Sequence, residues 1–267
     1  MASHRIIYIS QEIFPYLNVG PNGQLCRTLP QAMQQRKYQV RTFMPDFGDI
    51  NERRNQLHEV IRLSGMNIAI SNNDHPLVVK VASMHPSRIQ VYFIDNDDYF
   101  QKDANDSDSF GSNRAENDER VIFFARGTVD TAKKLCWEPD FFHVTGWISA
   151  LTPLYIRSIY GDAFRNSRII YSVMPENETA PIDTAIFDKL KEEGIDPALI
   201  EEFRQLPADN NFLHHIGIQY SDAVVFQGVE PDATLLARAE ARGIPVLRID
   251  ADSDHAAELD EFYKSLQ

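Results

Sequence analysis

Short apolar runs alternate with stretches of helical periodicity along almost the whole chain, and this rhythm restricts the fold more than any other feature. Arg5 to Ser10 reads as a buried strand, followed by a loop from Glu12 to Gly23 punctuated by Pro15, Gly20, Pro21 and Gly23. Leu25, Leu29, Ala32 and Met33 then recur at helical spacing, with Pro30 inside the pattern predicted to kink or shorten the helix. Val40 to Met44 is the next strand, which makes a β-loop-α-β unit at the start of the chain.

The middle is richer in strands. Met66 to Ile70, Leu77 to Ser83 and Ile89 to Ile94 are β-branched runs separated by polar turns, as in a meander at one sheet edge. Lys102 to Asn117, crowded with Asp, Ser and Asn, reads as an exposed, mobile loop. The α/β alternation then returns. Helices are predicted from Asp118, over Trp147 to Tyr160, over Pro231 to Arg242 and around Leu259 to Leu266. Strands are predicted at Asp140 to Val144, Arg168 to Val173, Ala223 to Phe226 and Pro245 to Arg248. Such an order implies an α/β fold: a Rossmann-like, doubly wound, mostly parallel sheet with a small β-rich insertion. No short-period repeat and no linker composition interrupts it, so residues 1–267 read as a single domain.

In sheets of this kind the ligand crevice lies beyond the carboxyl ends of the strands. The loops Glu12 to Gly23, Asp95 to Phe100, His143 to Trp147 and Met174 to Asn177 therefore matter most. The formal charge of −13 disfavours nucleic acid and anionic membrane surfaces as partners, because both need a positive field. Cys26 and Cys136 stand far apart, and no apolar segment approaches ~20 residues, so a soluble, cytoplasmic protein is expected. The adjacent His214 and His215 point in different directions on a helix, so no metal pair is expected there. No constellation of Ser-His-Asp, Cys-His or paired-carboxylate type stands out, so no catalytic residue, metal or cofactor is assigned.

Several stretches together carry a family likeness. They are Ser10-Gln11-Glu12-Ile13-Phe14-Pro15-Tyr16, Leu29-Pro30-Gln31-Ala32 and Phe43-Met44-Pro45-Asp46-Phe47-Gly48-Asp49-Ile50. Tyr92 to Asn96 with Tyr99-Phe100, Asn117 to Arg120 with Phe123 to Arg126, Trp137-Glu138-Pro139-Asp140 leading to His143 and Trp147, and Gly217 to Val224 follow in order. Over roughly positions 5 to 230 the chain resembles the N-terminal lobe of bacterial starch/glycogen synthases that use ADP-glucose. The polar stretch from Asn51 to Arg62 resembles a short, single-lobe branch of that family.

The resemblance implies one lobe of a two-lobe, GT-B-type retaining glucosyltransferase. In that family, positive groups stabilise the departing diphosphate. The family's first loop carries Lys-Thr-Gly-Gly-Leu; here Asn18 stands at the Lys position, Pro21 replaces one glycine, and Gly20 and Gly23 remain. The family's His-x-His-Asp-Trp reads His143-Val144-Thr145-Gly146-Trp147, so the sugar-contacting second His is Thr145 and the Asp is Gly146. A later His-Asn pair aligns with Met174-Pro175, and the second lobe's Arg, Lys and Glu have no counterpart within 1–267. Losing one transition-state donor already costs about 3 kcal/mol. The expectation is therefore a degenerate lobe that does not transfer glucose alone.

The candidate sugar or nucleotide cleft comprises Glu12, Asn18, Gly20, Gly23, Asp95, Tyr99, His143, Thr145 and Trp147. Each has a plainer alternative. The glycines can simply shape a turn, His143 can be a hydrogen-bonded core residue, Trp147 can be packing, and Glu12 can be a buried acceptor. The resemblance leaves as partners an α-glucan, ADP-glucose, a second copy of the chain, or an intact synthase.

Overall fold

The computed structural model describes residues 3–267. Its sheet has ten strands: β1 (Arg5–Ile9), β2 (Gln39–Pro45), β3 (His58–Glu59), β4 (Met66–Ile70), β5 (Asn73–Met84), β6 (Ile89–Asp95), β7 (Phe141–Thr145), β8 (Arg168–Val173), β9 (Ala223–Gln227) and β10 (Val246–Ile249). The order is β10-β9-β8-β7-β1-β2-β6-β5-β3, with β4 paired to β5. Seven strands, from β6 through β2 and β1 to β10, run parallel; β3 and β4 pair antiparallel with β5, and β5 antiparallel with β6. From β1 the chain winds outward one way to β2 and β6, then returns to β7 on the other flank. The topological switch point therefore lies between β1 and β7, where such sheets place their crevice.

Period-two alternation decides which helices cover which face. Ile6, Tyr8, Phe141, Ile170, Ala223 and Val225 face a core closed by the helices Gly23–Gln35 and His255–Ser265. Their neighbours Ile7, Ile9, Phe142, Tyr171, Val224 and Phe226 face the larger core, under the helices Asn117–Lys134, Thr152–Ser158 and Phe212–Gln219. Both faces are covered, so the strands read as continuous apolar runs.

Several details differ from the sequence expectation, among them β5, which begins at Asn73 instead of Leu77. The first helix runs through buried Pro30 to Gln35 without being shortened. The proposed helix over Trp147 to Tyr160 is a 3₁₀ turn, Trp147–Ser149, followed by Thr152–Ser158, with Pro153 near the start of the second piece. The polar run from Lys102 is not exposed throughout: Phe110, Gly111 and Ser112 turn inward and are buried, although Asn113 and Ala115 beyond them are exposed. Among the described residues, no helix is long and apolar enough to cross a membrane.

Candidate functional site

The loop after β1 and the loop after β7 meet at the switch point. Glu12 is 2% exposed, and its carboxylate accepts the backbone N–H groups of Gly20 (3.0 Å) and Asn22 (2.9 Å). Pro21 between them has no N–H. The turn's amides, which elsewhere would receive an anion, are thus engaged by the protein's own carboxylate at the start of the Gly23–Gln35 helix. That is where the helix dipole favours negative charge. Gly20 is required by this contact: a Cβ there would lie 2.4 Å from Glu12 Oε1. Asn22 then donates its side-chain N–H to the Pro175 carbonyl at 2.6 Å, which ties the first loop to the segment after β8.

The remaining space is small. The crevice bounded by Gln11, Glu12, Asn22, Phe110, Thr145 and Glu176 holds about 10 Å³, the size of one water at most. Gln11 Oε1 and Glu176 Oε1 are buried there without hydrogen-bond partners. Glu12 and Glu176 line it, and no Lys or Arg does so among the described residues. Thr145 lines it with its hydroxyl 3.4 Å from the Ile9 carbonyl, whereas Asn18 is exposed on the loop.

The other candidates lie elsewhere. His143 is fully buried within the sheet: its Nδ1 is 2.5 Å from the Tyr263 hydroxyl, its Nε2 2.6 Å from Ser172 Oγ, and its ring stacks on Tyr8 at 5.1 Å. Burial pushes this imidazole down to about 3, so it is a neutral core group at physiological pH. Trp147 is 2% exposed and belongs to the larger core. Tyr99 is buried, donating to Glu119 Oε2 at 2.8 Å with His75 Nε2 at 3.0 Å.

Asp95, at the end of β6, belongs to a separate charged cluster. Lys80 Nζ on β5 reaches Asp95 Oδ2 (2.7 Å), Asp46 Oδ2 (2.9 Å) and Glu52 Oε1 (2.9 Å). Burial pushes the Asp46 carboxyl up to about 7 against the pull of Lys80, and raises Asp95 as well. The Lys80→Met variant loses that counter-charge, so both folded-state carboxyls rise further while the unfolded values stay put. The folded state then binds more protons than the unfolded state across neutral pH, and stability falls as pH rises through that window. Urea unfolding at pH 5 and pH 8 is expected to show the variant's deficit growing by about 1–3 kcal/mol at the higher pH, at 1.36 kcal/mol per unit of additional rise. A deficit equal at both pH values would contradict this account.

His214 and His215 point apart: the first bonds the Tyr171 hydroxyl at 2.7 Å, the second accepts from Arg238 Nε at 3.1 Å. No group of three or more His, Cys, Asp or Glu among the described residues is arranged to hold a metal ion. Four residues bounding the crevice, Gln11, Asn22, Phe110 and Glu176, were not among the sequence candidates. Asn22 is the helix N-cap, a position that could have flagged it, and Gln11 adjoins Glu12. Phe110 lies in a polar run with no periodic signal at all.

Comparison with known proteins places this geometry in a lineage. Residues 5–227 match the family model for the starch synthase catalytic domain. The chain is 30% identical over 234 residues to a glycogen synthase of Chlorobaculum parvum, covering 83% of this chain and 45% of that protein. It is 33% identical over 160 residues to a glycogen synthase of Chlorobium phaeovibrioides, covering 59% and 32% respectively. The chain thus spans less than half the length of these relatives. The catalytic domain of starch synthase IV from Arabidopsis thaliana, bound to ADP and acarbose, superposes with a TM-score of 0.72 at 15% identity, over 93% of this chain and 52% of that one. That likeness is one of fold: the mostly parallel ten-strand sheet matches the architecture of one GT-B-type lobe. By the match to residues 5–227, this chain belongs to the starch synthase catalytic domain family.

Proposed function

We propose that this chain is a non-transferring lobe of the starch synthase family. In this reading it keeps the family's sheet and acts by binding, with an α-glucan or an intact synthase as its partner. The observation that carries this reading is the closed switch point. Glu12 occupies the amides of Gly20 and Asn22, and Asn22 is tied to Pro175 across a space of about 10 Å³. A nucleoside diphosphate needs cationic donors, whereas Glu12 and Glu176 line this crevice and no Lys or Arg does so among the described residues. The absence of a lysine at Asn18 and of the second histidine at Thr145 agrees with this. Free Cys26 and Cys136 support a reducing compartment such as the cytoplasm.

The test is glucose incorporation into glycogen from labelled ADP-glucose, with calorimetric titration of ADP-glucose in parallel. No incorporation and no saturable heat are expected. Incorporation above a heat-killed control would overturn the reading. Titration with maltooligosaccharides then separates the partners: saturable heat assigns a glucan, and its absence assigns the synthase.

A further inference from the structure

We infer that a second, open cavity is an anion site for a small organic phosphate. It lies between the first helix, the short helix Glu52–Asn55 and the free edge of β5 beyond its pairing with β3, and holds about 400 Å³, within the range of small-molecule sites. This inference goes beyond the proposed function and does not depend on it.

The lining is unusual for a chain of formal charge −13. Arg27, Arg54, His58 and His85 all line the cavity, and no carboxylate does so among the described residues. Neither arginine makes an ion pair among those residues, although the chain carries 39 acidic side chains against 26 basic ones. Unpaired guanidinium groups sharing one concavity repel each other, an arrangement that a bound anion relieves.

Arg27 is also held in place. Its Nη2 donates to the His85 carbonyl at 2.9 Å and its guanidinium lies 5.1 Å over the Phe14 ring, which leaves its remaining N–H groups for a ligand. A guanidinium fork fixed in this way meets a phosphate with little further loss of side-chain freedom. Arg54, exposed on the short helix, lines the same cavity and supplies a second fork. Gln56 and Gln90 add neutral amides, which suit hydroxyl groups on the body of the ligand rather than a second charge. The cavity is therefore matched to one phosphoryl group on a hydroxylated carbon skeleton.

The experiment is calorimetric titration of the full chain at low salt with ribose 5-phosphate, inorganic phosphate and ribose, none of which reports on glucosyl transfer. Saturable binding is expected for ribose 5-phosphate, weaker binding for phosphate and none for ribose. Arg54→Glu is exposed and should fold normally; it is expected to weaken ribose 5-phosphate at least tenfold. Arg53→Glu, its exposed neighbour outside the cavity, makes the same charge change and should weaken binding less than twofold. Absence of saturable binding to the unaltered chain would overturn the inference. So would equal losses in the two variants, which would reveal a diffuse charge effect instead of a site.

Discussion

Replacing Gly146 with aspartate, the residue that the family resemblance sets at this position, is expected to destabilise the protein by about 3–5 kcal/mol. Gly146 sits at φ 92° and ψ 148°, a region that side-chain-bearing residues rarely enter. A Cβ there would also lie 2.9 Å from Gln11 Cβ, and Gln11 is part of the loop that closes the crevice. The new carboxylate would join Glu12 and Glu176 beside two orphaned acceptors, adding like-charge repulsion to steric strain. Gly146→Ala isolates the backbone and contact contribution and should account for most of the loss. Urea unfolding of both variants, at an unchanged m-value, measures it. An aspartate variant within 1 kcal/mol of the parent would mean that the crevice opens easily, and would weaken the case for a closed switch point.

The second large effect is expected at Arg120. This guanidinium is 1% exposed and makes no ion pair among the described residues. It donates instead to the carbonyls of Tyr99 (2.7 Å), Phe110 (2.8 Å) and Gly111 (3.1 Å) and to Asn117 Oδ1 (2.6 Å), and it lies against the rings of Phe47 and Phe100. Burial pushes it down to about 10, still well above neutral pH, so the charge is retained. Exchanging a buried ion pair for apolar groups can be neutral because both partners leave together. Here the acceptors are largely main-chain carbonyls and cannot leave. Arg120→Met should therefore cost about 3–5 kcal/mol, each stranded acceptor contributing about 1–3 kcal/mol before relaxation. Hydrogen exchange should show the amides of residues 108–117 losing protection ahead of the sheet. A methionine variant of parental stability would show that the inward turn at Phe110 does not depend on this residue.

These two positions show how legible the molecule was. Arg120 lay in a stretch recognised as a family landmark, yet nothing in Asn117-Asp118-Glu119-Arg120 distinguishes the fully buried arginine from a surface charge. Three of its four partners come from residues 99, 110 and 111, and their approach is a tertiary event. Gly146 could be noted as a departure from the family signature, but its positive φ could not be read from the letter alone. Several strands were legible to the residue, Arg168 to Val173 as β8 and Met66 to Ile70 as β4, whereas β5 begins four residues before the expected Leu77 and β3 was not anticipated. Doubly covered strands need uninterrupted apolar runs, and such runs are conspicuous. The inward turn at Phe110 was not legible, because a single buried aromatic in an Asp- and Ser-rich segment carries no period.

By itself the sequence determined the α/β order and the family, because pattern along the chain carries that information, and it put Asn18 and Thr145 where the resemblance implies Lys and His donors. Only the tertiary structure decided what became of the first loop. The Glu12 carboxylate and the amides of Gly20 and Asn22 are eight and ten residues apart, and the lock from Asn22 to Pro175 spans 153. Whether such groups turn toward a ligand or toward each other depends on how the strands bring their ends together. Here they turn toward each other, and the crevice closes.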